Sequence, residues 1–166
     1  MDKGILNALA SKWKIIETSE FFRLEKDNLI VKDISERIKM LTMDDFDAFS
    51  SIHDKMNPDM YWNSERIKNN FNRWRIFTYC KDEEILAYIM SLIYDNNIGE
   101  IFGITSVTNI ESNILEGLIY FACKDIFSLG ATRIINSCDL GSFEKELYLN
   151  LGFVRTNDYI CYRISI

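Results

Sequence analysis

Residues 147–153 read Leu147-Tyr148-Leu149-Asn150-Leu151-Gly152-Phe153, and the rest of the chain is read outward from them. A glycine just after leucines at 147 and 151 marks the left-handed close of a helix. Ser142 opens that helix, and Phe143, Leu147 and Leu151 fall on its inward face. Upstream, ATRIINSCD (131–139) is a buried strand. Before it lies the longest helix, over 111–129. Ile114, Leu118, Ala122 and Ile126 make one i,i+4 row of that helix, and Leu115, Ile119, Cys123 and Phe127 make the next. A face so broad belongs against a sheet. Gly130 ends the helix. Downstream, FVRT (153–156) and YICYRISI (159–166) flank Asn157-Asp158 and predict a terminal hairpin.

Toward the amino terminus three strands precede the long helix. Residues 75–81 and 85–94 are joined by the acidic turn Asp82-Glu83-Glu84, and Asp95-Asn96-Asn97-Ile98-Gly99 turns into GEIFGITSV (99–107). Gly103 inside that last run marks a bulge or a close backbone approach. Two helices come before. Thr42-x-x-Asp45 reads as a capping box for the first, which carries Phe46, Phe49 and Ile52 and stops at Asn57-Pro58. Ser64 caps the second, whose Ile67, Phe71 and Trp74 share a face. ERIKML (36–41) alternates as a strand. The order from residue 36 is β-α-α-β-β-β-α-β-α-β-β, an α+β domain over 36–166. Residues 1–35 are left as an N-terminal extension. In it Ile5, Leu6, Ala8, Leu9, Trp13 and Ile16 fit a short amphipathic helix, and FFRLE (21–25) and LIVKD (29–33) flank Lys26-Asp27-Asn28 as a second hairpin.

Composition narrows the function. With 48% apolar and 27% charged residues over 166, the chain has one globular core to build rather than a disordered or fibrous plan. No apolar stretch has the length to span a bilayer, and the amino terminus lacks the pattern of a secretory signal, so a cytoplasmic protein without a membrane partner is expected. Net charge is -6 without a basic stripe, which disfavours nucleic acid and mildly favours cationic substrates. Cys80, Cys123, Cys138 and Cys161 sit in apolar runs without C-x-x-C spacing, reading as reduced core thiols with no metal to bind. The one histidine, His53, between Ile52 and Asp54, reads as a surface or cap residue.

The element order, the Leu147-Tyr148…Gly152-Phe153 string and the Ser128-Leu129-Gly130 helix end before a buried strand together resemble the GNAT superfamily of N-acyltransferases over 36–166. The resemblance implies a mixed, mostly antiparallel sheet flanked by helices, with one pair of parallel strands splayed apart. Acetyl-coenzyme A would lie in that gap as co-substrate, its thioester and pantetheine against the backbone of Gly103, Ile104, Thr105 and Val107. An acetyl group would pass to a primary amine of a small molecule or a peptide. Glu100 is the base that the resemblance suggests for the amine, and Tyr148 the acid for the departing thiolate.

The family's Gln/Arg-x-x-Gly-x-Gly/Ala segment, which wraps a pyrophosphate at a helix amino end, falls on Ile110-Glu111-Ser112-Asn113-Ile114-Leu115, without its glycines. Two registers are open. Thr108-Asn109-Ile110-Glu111 as a capping box would fill the helix end with the chain's own carboxylate, whereas a start at Ser112 leaves Ser112 and Asn113 to offer hydroxyl and amide groups to phosphate. Three functions compete: an acetyl-CoA-dependent N-acetyltransferase, a GNAT-like binding or regulatory domain without catalysis, and a related fold moving an aminoacyl group from another carrier. The first 35 residues serve in these as an interaction arm or a homodimer contact. Tyr61, Trp62 and Asn63 read either as acceptor-pocket residues or as a hydrophobic staple.

Overall fold

The computed structural model describes residues 13–164, the side chains of 13–17 and 161–164 excepted. Its strands are β1 (Trp13–Glu25), β2 (Ile38–Met40), β3 (Arg75–Lys81), β4 (Glu84–Ile93), β5 (Ile98–Ser106), β6 (Arg133–Asp139) and β7 (Val154–Ile164). They form one sheet in the order β2-β3-β4-β5-β6-β1-β7. Its helices are α1 (Phe46–Met56), α2 (Ser64–Lys68), α3 (Ser112–Ser128) and α4 (Glu144–Leu149). Every neighbouring pair of strands is antiparallel except β5–β6. The class is α+β, as the element order requires.

Alternation along the central strands splits the core in two. Phe77, Ala87 and Ile89 face one side, where Leu118, Ala122 and Ile126 of α3 and Leu147 of α4 pack. Ile76, Tyr88 and Met90 face the other, against Phe46 and Phe49 of α1 and Ile67 of α2. Side chains of period two meeting helical rows of period 3.6 are what sandwich a sheet between helices. Between β3 and β4 the chain turns in two residues, Asp82 and Glu83, at φ 51° and 67°. Two positive φ values match the turn to the right-handed strand twist.

The amino-terminal reading is corrected. β1 is inserted between β6 and β7, with Phe22 and Leu24 in the core, so no domain boundary falls at residue 35. The amphipathic helix expected over 5–16 lies outside the described residues as far as 12, and Trp13 and Ile16 belong to β1. FFRLE is the end of that strand. LIVKD forms no strand; it leaves a 3-10 turn at Lys26–Asn28 as an irregular strap, bonding α4's exit through Ile30 N–H to the Leu151 carbonyl at 3.1 Å. A Cβ on Gly152 would stand 2.0 Å from the Asn28 carbonyl oxygen, which explains the glycine sterically as well as by its φ of +92°.

The terminal hairpin is also corrected. Asn157-Asp158 does not turn: β7 runs straight through it, and the place of a second hairpin strand beside β7 is taken by β1. Helix caps move by a few residues. Asp45 itself occupies the N-cap of α1, receiving the Thr42 hydroxyl at 3.1 Å, so the box does not form. Asn63, not Ser64, caps α2, accepting from Arg66 N at 3.0 Å. Glu111 is the N-cap residue of α3 without a side-chain bond, so the register starting at Ser112 holds. Phe143, expected inside, is 61% exposed.

Candidate active site

β5 and β6 stay in register from Ile98↔Arg133 to Ile101↔Asn136 and then part. The buried Asn136 side chain sits at the parting point and donates to the Ile101 carbonyl at 3.1 Å. On its other edge β5 slips one residue against β4: Met90 faces Gly103 and Ser91 faces Ile101, so Phe102 is bulged out. Gly103 has φ +127°, a conformation closed to side chains, which accounts for a glycine inside a strand. Divergence and bulge together open a cleft of about 290 Å³, where Gly103, Ile104 and Thr105 confront Ser137, Cys138 and Asp139.

The α4 side of this cleft holds Ser142 and Glu144. Burial, reinforced by the neighbouring charge of Asp139, pushes the Glu144 carboxyl up to about 7. Among the described residues lining the cleft are two carboxylates, Asp139 and Glu144, and no lysine or arginine. Cys138 also lines it, but burial and the negative charges of Glu144, Glu20 and Asp139 push its thiol up to about 11. A neutral thiol is a poor nucleophile. Tyr148 lies beneath the same wall, fully buried against Phe22 and Phe153. Its hydroxyl and the Asn136 side-chain oxygen make no hydrogen bond to another described residue. Burial and the charge of Glu144 hold the phenol protonated, well above its ordinary range.

The opposite wall comes from α1 and β4. His53 is not a surface residue: it is 0% exposed and stacked on Phe49 at 5.2 Å. Its Nδ1 lies 2.8 Å from the Tyr88 hydroxyl and its Nε2 2.7 Å from the Trp62 carbonyl. Asn57 Nδ2 donates to the Tyr88 oxygen at 2.8 Å. Burial pushes the Tyr88 phenol up to about 12, against the hydrogen bonds from Thr105 and Asn57. His53, Asn57 and Tyr88 all border the cleft. A signal for His53 was present in the sequence, since Phe46, Phe49 and His53 share one helical stripe.

The remaining sequence-derived candidates lie elsewhere. Glu100 lines an adjoining recess with Trp62 and Trp74, its carboxylate accepting from the Tyr94 hydroxyl; burial raises it above the usual carboxylate range. Phe102 separates that recess from the cleft and borders both. Val107 spends its amide on the Leu86 carbonyl at 2.9 Å. Ser112 and Asn113 are exposed at the amino end of α3, and Asn113 turns its side-chain oxygen onto the Ile114 amide at 2.8 Å. Asn113 shares a separate hollow with Lys32 to Ser35 of the strap, where Lys32 pairs with Glu116 at 2.6 Å.

No protein-family model and no curated protein matches the sequence. Solved structures do match its fold. A GNAT-family acetyltransferase from Colwellia psychrerythraea superposes with a TM-score of 0.72 at 14% identity, over 96% of this chain and 60% of that one. An acetyltransferase of the same family from Novosphingobium aromaticivorans gives 0.69 at 13% identity, over 93% and 69%. N-myristoyltransferase of Saccharomyces cerevisiae, solved with bound myristoyl-CoA, gives 0.60 at 12% identity, over 89% and 49%. The chain thus spans 60–69% of the length of these two acetyltransferases, and the likeness is one of fold.

Proposed function

We propose that this GNAT-fold chain is an N-acyltransferase that moves an acetyl group from acetyl-coenzyme A to a primary amine of a small molecule or peptide. The observation that carries it is the cleft between β5 and β6, where pairing ends at Ile101↔Asn136 and the Gly103 bulge begins. Beyond Ile101 the edge of β5 facing β6 has no strand ladder, which leaves backbone groups of Gly103 to Thr105 to hold an extended thioester arm. Coenzyme A supplies an activated acyl carbon and a thiolate leaving group. The lining has one acidic wall and no cation, which suits an ammonium acceptor. Glu144 lines the cleft and is still partly protonated near neutral pH, so it would supply the thiolate's proton, with the protonated Tyr148 buried behind that wall. Glu100, the base suggested by resemblance, stands one recess away, behind Phe102. The raised Cys138 thiol argues for direct transfer without an acyl-cysteine.

Calorimetric titration with acetyl-coenzyme A tests the reading. Micromolar binding followed by acetylation of an amine panel supports it; no heat at millimolar ligand overturns it. A second reading, a binding domain without catalysis, is favoured by one feature, the missing glycines at 110–115 with Asn113 turned onto the chain's own amide. Its signature is absence of binding in that titration.

A further inference from the structure

The reading above assigns no group to the amine's proton, and a buried titratable group bordering the cleft has no role in it. His53, the one histidine of the chain, is buried on the wall opposite Glu144. The tautomer of its neutral ring follows from its partners. A carbonyl oxygen only accepts, so the 2.7 Å contact with Trp62 places a proton on Nε2. Nδ1 of the neutral ring is then an acceptor, and the Tyr88 hydroxyl donates to it at 2.8 Å. Asn57 donates to the phenol oxygen at 2.8 Å and the Thr105 hydroxyl donates to it as well, so both lone pairs are taken and the hydroxyl proton turns toward the ring.

Position gives this pair a task. Tyr88 of β4 and Thr105 of β5 are cross-strand partners whose side chains hydrogen-bond, and both border the cleft. We propose that Thr105, Tyr88 and His53 form the proton relay of the acceptor amine, with the Thr105 hydroxyl meeting the nitrogen and His53 acting through Tyr88. This rests on the acyltransferase reading. As the nitrogen attacks the thioester carbon, the C–N bond forms and the C–S bond breaks. The nitrogen's proton passes to the Thr105 oxygen, the Thr105 proton passes to Tyr88, and the Tyr88 proton passes to His53 Nδ1. The thiolate takes its proton from the Glu144 side. The relay ends with a neutral amide, a neutral phenol and an imidazolium. Both N–H groups of that imidazolium face acceptors, the Tyr88 oxygen and the Trp62 carbonyl, and the Asp54 carboxylate is close enough for the two charges to attract.

The test combines kinetics with a nitrogen-15 spectrum of the single histidine in the unaltered protein. His53→Gln cannot take up the proton, and Tyr88→Phe cannot pass it. Each is expected to lower kcat about 100-fold to 1,000-fold with KM for acetyl-coenzyme A unchanged. The double variant should be no slower than either single one, as for groups that work as a unit. The spectrum should show Nε2 protonated and Nδ1 bare, a readout that stands even if a variant fails to fold. Transfer that survives either substitution, multiplicative losses, or a proton found on Nδ1 overturns the relay alone. Absence of transfer by the unaltered protein overturns the acyltransferase reading and the relay with it.

Discussion

Glu144 carries a cost that its position in the cleft explains. Burial and Asp139 raise its carboxyl from 4.5 to about 7. A carboxyl raised on folding contributes stability while protonated, so that contribution is full below 4.5 and is lost as pH climbs through about 7. Glu144→Gln should therefore leave the melting temperature near that of the parent at pH 4 and raise it at pH 8, by an energy on the order of 2–3 kcal/mol. Equal melting curves at pH 8 would contradict the placement. The same variant should slow acyl transfer if the carboxyl feeds the leaving group. Cys138→Ala, by contrast, should keep most of the activity, and trapping of an acyl-enzyme on that thiol would refute direct transfer. None of this chemistry was legible residue by residue. Glu144 looks like any helix-start acid, because the burial that does most to raise it comes from the folded cleft wall and not from its sequence neighbours. The string singled out Tyr148 as a candidate acid, whereas what keeps it protonated is its burial and the charge of Glu144.

At the level of elements, the glycines separate two kinds of need. A Cβ on Gly103 meets nothing within 4 Å, so Gly103→Ala is strained by φ alone. A cost of about 1–2 kcal/mol and a larger loss of acetyl-coenzyme A affinity are expected, measured by denaturant titration and calorimetry. Gly152→Ala meets both an unfavourable φ and the Asn28 carbonyl, so it should destabilise more than Gly103→Ala while displacing the strap. The bulge in β5 was legible because a glycine in an apolar strand has few other uses. The long helix was legible from its two apolar rows. The terminal hairpin was misread because Asn157 and Asp158 carry turn chemistry, while the partner that keeps them extended, β1, lies over 130 residues away in sequence. The register slips there by one residue, Arg155 facing Phe22 and Asn157 facing Phe21, with the Thr156 hydroxyl donating to the Phe21 carbonyl at 3.2 Å.

Across the whole molecule, the sheet is completed by its most distant segments. Glu20 of β1, 1% exposed, receives Lys145 of α4 and Arg155 of β7 at 2.9 Å each. A chain beginning at residue 36 would lose Phe22 and Leu24 from the core and leave β7 without its partner. It is expected to lose cooperative unfolding altogether; a sharp transition at the parental temperature would show that β1 is dispensable. Local pattern revealed the central β3-β4-β5 meander and the helices because their partners are neighbours in sequence. It could not reveal β1, whose burial depends on strands more than 100 residues downstream.

The pairing of Trp13 with Ile164 has a consequence for the wiring of the fold. Strand order in space is indifferent to where the chain is cut, provided the cut is exposed and the old ends are near. A short designed linker would close that gap. A circular permutant that joins Ile164 to Trp13 through such a linker and opens beside Val31, which is 76% exposed, would turn β7 and β1 into one continuous antiparallel pair at the new carboxyl end.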